Sequence, residues 1–156
     1  MRGLKQLENL ELDRIEITDA GLANVKGLSH LQHLSLIGTE VTDAGLLNVK
    51  GLSNLQGLSL ANTSVGDAGL EYLEPLTKLQ FLFLNDTNVT DAGLPHLKGL
   101  TDLKELVLPG TKVTDAGLVN IKGLTKLRTL NLNRTNVTDA GVDELQKALP
   151  TCKIVR

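Results

Sequence analysis

Leu7, Leu31, Leu55, Leu79, Leu103 and Leu127 stand 24 residues apart, with no insertion between any two. Further leucines follow three and five positions later, as in Leu34 and Leu36 or Leu106 and Leu108. Asp19, Asp43, Asp67, Asp91, Asp115 and Asp139 keep the same spacing, each followed by Ala and Gly. The unit reads L-x-x-L-x-L-x-x-T-x-V-T-D-A-G-L-x-x-L-K-G-L-x-x. A fixed period of this length restricts the chain to a stack of similar supersecondary units, each covering the apolar face of the next. Composition agrees: 41% of the 156 residues are apolar but only 2% aromatic, as expected when one small aliphatic packing unit is reused.

The L-x-L step has strand period, which sends alternate side chains to one face. The G-L-x-x-V/L-x-G-L stretch spaces its apolar residues by three, as on a short helical turn. Strand, turn, helical segment and return make one coil of an α/β solenoid. In the second repeat Leu31, Leu34, Leu36, Val41, Leu46, Val49 and Leu52 point inward. At about 1.5–3 kcal/mol per buried aliphatic side chain, such a set offsets the cost of ordering a coil only when neighbours cover both its faces. A single repeat is therefore expected to be unfolded alone. The period divides one domain, residues 1–156, into a partial repeat 1–6 and repeats 7–30, 31–54, 55–78, 79–102, 103–126 and 127–150. A C-terminal helix and cap strand are expected at about 139–156.

The L-x-x-L-x-L-x-x-T segment resembles the leucine-rich-repeat family, and the following V-T-D-A-G-L resembles a subtype found in bacterial and F-box-associated arrays. The resemblance implies a right-handed horseshoe with parallel strands on its concave face and short helical or 3₁₀ segments on its convex face. Thr39, Thr63, Thr87, Thr111 and Thr135 stand where most family members carry Asn or Cys. A threonine ladder can still bond the turn backbone, whereas Ile15 in the first repeat cannot, so that turn should be looser.

Thr18, Thr42, Thr90, Thr114 and Thr138 are N-cap candidates, and Gly66 is a weaker one. The following aspartates are expected to cap their own segments; a stack of carboxylates also invites a calcium reading, but one oxygen ligand group per repeat is too few. The Gly of each K-G-L suits a left-handed helix stop. Pro75 ends its helix by another route, and Pro95 argues for short, partly 3₁₀ segments. Arg2-Gly3-Leu4 matches the phase of Lys26-Gly27-Leu28, so the chain starts partway through a repeat. Val142, Leu145 and Leu149 mark the best α-helix, followed by a final strand in which Cys152 and Val155 take the Leu-x-x-Leu phase. Cys152 is read as a packing residue.

If the leucines point inward, the residues between them face the concave side, and there the repeats diverge. One row reads Asn9, His33, Gly57, Phe81, Glu105, Thr129; the next Glu11, Ser35, Ser59, Phe83, Val107, Asn131; the third Asp13, Ile37, Ala61, Asn85, Pro109, Asn133. Both phenylalanines, Phe81 and Phe83, fall on one strand, with Gly57 and Ser59 on one side and Glu105 and Val107 on the other. Aromatics beside small residues suit a binding anchor, although the two rings would also serve simply to cover the sheet. The candidate partner-binding residues are Phe81, Phe83, Gly57, Ser59, Glu105, Val107, His33, Ile37, Asn85, Arg128 and Asn131.

Charge divides along the chain: residues 1–49 hold 4 basic and 7 acidic groups, residues 50–102 hold 3 and 6, and residues 103–156 hold 9 and 5. Glu8, Glu11, Asp13 and Glu16 make the first strand region acidic, while Lys104, Arg128 and Arg134 line the other end. Such a gradient would orient a partner, and scattered solubilising charge would look the same. A formal net charge of −2 gives no bulk signal for nucleic acid or anionic lipid. No apolar run approaches about 18 residues, so no membrane span is expected and a cytoplasmic location is favoured. Catalytic and metal sites are expected to be absent, and so are cofactors. His33 and Ser35 lie about 6.6 Å apart along a strand, His30 and His33 point to opposite faces, and His96 is convex. A monomeric protein- or peptide-binding module fits best; a designed or excised scaffold and the recognition arm of a larger protein remain open.

Overall fold

A computed structural model describes residues 6–156; the predicted partial repeat 1–6 lies, but for Gln6, outside the described residues. Among the described residues seven three-residue strands follow one another: β1 (Asn9–Glu11), β2 (His33–Ser35), β3 (Gly57–Ser59), β4 (Phe81–Phe83), β5 (Glu105–Val107), β6 (Thr129–Asn131) and β7 (Lys153–Val155). They pair in chain order as one parallel sheet, each residue opposite the one 24 positions on. Between strands run α1 (Asp19–Leu22), α2 (Asp43–Leu46), α3 (Asp67–Leu70), α4 (Asp115–Leu118) and the longer α5 (Asp139–Ala148). Short 3₁₀ turns at Ala23–Val25, Glu71–Leu73 and Leu94–Leu97 complete the helical side. The last of these holds Pro95 at its start, as its missing N–H allows.

The predicted inward set of the second repeat is 0–2% exposed throughout, and the equivalent leucines and valines join it in one continuous core. Thr39, Thr63, Thr87, Thr111 and Thr135 donate their hydroxyls to the carbonyls of Leu36, Leu60, Leu84, Leu108 and Leu132 at 2.6–2.8 Å, so the threonine ladder closes each turn from within. Ile15 has no hydroxyl to offer and is 48% exposed.

The aspartates act differently from the expectation. None of Asp19, Asp43, Asp67, Asp91 and Asp115 caps its own helix; each of the five reaches forward to the next repeat. Asp19 accepts from the N–H and hydroxyl of Thr42, Asp67 from Thr90, Asp91 from Thr114 and Asp115 from Thr138, all at 2.6–2.8 Å. Asp43 accepts from the Gly66 N–H alone. The carboxylate fits because the Gly of the next D-A-G has no side chain. A Cβ at Gly69 or Gly93 would fall 2.5 Å from the Oδ1 of Asp43 or Asp67, and one at Gly45, Gly117 or Gly141 would land on the carboxylate of Asp19, Asp91 or Asp115. Thr42, Thr114 and Thr138 cap as predicted, each accepting a backbone N–H in the first turn of its helix. Thr90 accepts the Ala92 N–H but opens a turn, the 3₁₀ segment that follows being preceded by Gly93, and Thr18 makes no side-chain cap bond. One threonine thus caps its helix and donates to the preceding repeat.

Two further expectations change. Among the K-G-L glycines only Gly27 has positive φ (91°), because the other segments pass into a turn without reversing hand. The left-handed position lies instead just after each strand, at Arg14, Gly38, Asn62, Asp86, Gly110 and Arg134, with φ between 54° and 70°. There the N–H still completes the strand ladder, for example Asn62 to the Asn85 carbonyl, before the chain turns away. The mixture of Gly, Asn and Asp at one phase was the available signal; the arginines hid it. Gly110→Val should lower stability by about 2 kcal/mol, since a β-branched residue is strained at positive φ. Arg14→Gly should be neutral or gain up to about 1 kcal/mol; urea unfolding measures both. At the C-terminus Ile154, not Val155, stands opposite Leu130. The extra residue of the last coil is absorbed at buried Cys152, after which the 24-residue register returns. Burial pushes the Cys152 thiol pKa up, as suits a packing residue.

Candidate functional site

Because the leucines of each L-x-L point into the core, residues one position off must face out from the sheet. The observed register places the first two predicted rows side by side, and backbone bonds beyond the strand ends, such as Asn62 N–H to the Asn85 carbonyl, carry the third on in the same register. Phe81 and Phe83 are half-buried on β4, flanked by Gly57 and Ser59 of β3 and by Glu105 and Val107 of β5. The two rings form one wall of a groove of about 260 Å³ that runs over β3 and β2 to Asn9 and Glu11 on β1. His33, Ser35, Gly57 and Ser59 line it between these ends. A second hollow of about 310 Å³ continues past the strand ends, lined by Ile37, Ser59, Ala61, Asn62, Phe83 and Asn85. Phe83 and Ser59 belong to both.

Seven of the predicted residues, His33, Ile37, Gly57, Ser59, Phe81, Phe83 and Asn85, therefore come together around the two hollows that the aromatic wall borders. Glu105, Val107 and Asn131 share the face but lie beyond that wall, and Arg128 is an exposed residue at its margin. Gly57 is not the open step that its missing side chain suggested. It is buried, and a Cβ there would lie 2.6 Å from His33 Cδ2, so the imidazole of the neighbouring strand leans into the vacated space. The accessible floor is Ser35 and Ser59. Asn9, Glu11 and Ser35 complete the groove; the strand rows contained them, but only the depth of the groove singles them out.

On the groove floor the Ser35 hydroxyl is engaged. Asp13 Oδ1 accepts from the Ser35 hydroxyl at 2.5 Å and from the Ile37 N–H at 3.0 Å. The Ser35 hydroxyl thus donates to Asp13 and not to His33. Lys104 Nζ donates to Gln80 at 2.8 Å, and Arg134 reaches Asp86 at 3.1 Å, over Gly110. On the helical side His96 Nδ1 pairs with Glu74 at 2.7 Å. Among the described residues no group of three or more His, Cys, Asp or Glu is placed to hold a metal ion, and no helix is long and apolar enough to cross a membrane.

Parallel strands in strict chain order, leucines inward and short helical segments opposite leave one architecture, and the comparisons agree on it. The family model described as Leucine Rich repeat matches residues 123–145. The fold is a leucine-rich-repeat solenoid. An internalin (inlF) from Listeria monocytogenes is similar to 97% of this chain, with a TM-score of 0.76 and 24% identity. An internalin C2 from the same organism is similar over 99%, with a TM-score of 0.73 and 24% identity. An LRR protein of Leptospira interrogans is similar over 98%, with a TM-score of 0.76 and 22% identity. The solenoid spans 48%, 72% and 38% of those three chains respectively. No curated protein matches it.

Proposed function

We propose that this solenoid is a non-catalytic interaction module that takes a protein or peptide on its strand face, against Phe81 and Phe83. The observation that carries the reading is the groove itself: two half-exposed aromatics, the only phenylalanines of the chain, wall an open hollow on the strand face, where the repeats differ. An apolar side chain of the partner would lie on the rings over the Ser35–Ser59 floor. Glu11 at the far wall favours a basic group there, and Arg128 beyond β5 favours an acidic one, so the charge gradient sets the direction in which a segment lies.

The test is selection of displayed peptides on the purified chain, followed by titration of the retained sequences. They should carry an apolar anchor and lose at least about tenfold in affinity, roughly 1.4 kcal/mol, on the Phe81→Ala, Phe83→Ala double change. The thermal midpoint should move by no more than about 5 °C, since both rings are only half-buried. Equal binding by the double variant, or its failure to fold, overturns the reading.

A further inference from the structure

Asp13 settles the hydrogen-bonding character of the groove floor. Its Oδ1 takes the Ser35 hydroxyl proton at 2.5 Å and the Ile37 N–H at 3.0 Å. A serine hydroxyl donates once and accepts twice, so Ser35 Oγ, with its proton committed, offers the groove lone pairs alone. The register sets Glu11, Ser35, Ser59 and Phe83 opposite one another on four adjacent strands. Glu11 is exposed, and the two serines and Phe83 are half-buried. Across the sheet this row therefore has two halves. At one end an aromatic ring stands beside the Ser59 hydroxyl; at the other an acceptor-only hydroxyl stands beside a carboxylate. No lysine or arginine is among the described residues lining the two hollows, and Glu11 supplies their one carboxylate. The Glu11–Ser35 half thus combines negative charge with an acceptor whose proton is already engaged.

We infer that this half of the groove is a guanidinium site, and that the basic group it takes is an arginine of the bound segment. A guanidinium is planar and permanently charged, with five N–H donors and no acceptor. Its fork meets the Glu11 carboxylate with two parallel bonds, and a further N–H meets the Ser35 lone pair on β2. A lysine ammonium is a single point charge without that fork, so it serves the carboxylate and the hydroxyl less well together. A neutral polar side chain forfeits the charge at Glu11. An apolar residue two positions along an extended segment, about 6.6 Å away, then falls over Ser59 against the rings. Within the interaction site proposed above, on which this assignment rests, Ser35 held by Asp13 selects arginine where Glu11 alone would accept any cation.

The probes are three blocked tripeptides, acetyl-Leu-Gly-Arg-amide and the same peptide with lysine or citrulline in place of arginine. Citrulline keeps the planar shape and loses the charge. Each is titrated into the full chain by NMR, following the amide signals of Glu11 and Ser35 and the ring signals of Phe81 and Phe83. The arginine peptide should saturate the Glu11 and Ser35 shifts and bind at least about fivefold more tightly than the citrulline peptide. It should exceed the lysine peptide by about threefold, a preference that Ser35→Ala removes. Glu11→Gln should bring arginine down to the level of citrulline; Glu11 is exposed, so the fold is unaffected. Equal binding of arginine with citrulline or with lysine, or no saturable shift at Glu11 and Ser35, overturns the assignment. Phenylalanine shifts alike for all three peptides would overturn the guanidinium site and leave the interaction site standing. Arginine-dependent shifts that persist in the Phe81→Ala, Phe83→Ala chain would support the guanidinium site and remove the aromatic anchor.

Discussion

Leu82→Ala should lower the unfolding free energy by about 2–5 kcal/mol, while Leu10→Ala, the same change at the same phase, should cost less than half as much. Leu82 sits on the middle strand, fully buried, with Leu58 and Leu106 opposite it on either side. Removing three carbons there opens a cavity that two packed coils must collapse to fill. Leu10 is half-exposed on the edge strand with one neighbour, Leu34, so its site relaxes towards solvent. Equilibrium urea unfolding of the two variants, read as midpoint and slope, checks the contrast. Equal losses would mean that the repeats do not stabilise one another through their shared faces.

The second large effect concerns one aspartate and one glycine. Asp67→Ala removes two hydrogen bonds to a carboxylate and leaves the Thr90 N–H and hydroxyl without their partner. A loss of about 1.5–3 kcal/mol is expected. Gly93→Ala should cost about 1–3 kcal/mol by overpacking, because the new methyl meets Asp67 Oδ1 and crowds Leu70 Cδ1 at 3.0 Å. The two losses should not add. With Asp67 already shortened the methyl has room beside the former carboxylate, so the double variant should be more stable than the sum predicts by about 1 kcal/mol. Strict additivity in a double-mutant cycle would refute the idea that the glycine exists to seat the aspartate.

Most of the fold was legible because the repeats share one register. Strand positions, inward leucines, the caps at Thr42, Thr114 and Thr138 and the C-terminal helix all follow from periodicity and local chemistry, and the structure places them as expected. The role of Asp67 and its equivalents was not legible, because an aspartate at a helix start looks the same whether it bonds forward by two residues or by twenty-three. The adjoining glycine was the clue, but it reads as a flexible framework residue until the neighbouring coil is in place. The left-handed residues were missed for a different reason: Arg14 and Arg134 adopt φ near 55° where a sequence reading looks for glycine. In the groove, the rows were right and the depth was wrong. His33 filling the space over Gly57 depends on a side-chain direction across strands, which no spacing along one strand reveals.

The bonds from Asp19, Asp43, Asp67, Asp91 and Asp115 to the next turn span 23 residues, and paired strand residues lie 24 apart. Every such contact closes a loop of nearly one size, so joining any repeat to its neighbour costs about the same chain entropy. Folding can then start at whichever pair of coils meets first and spread by zippering in either direction, without waiting for distant segments to find each other. During synthesis each coil can settle onto the one before it as soon as it emerges.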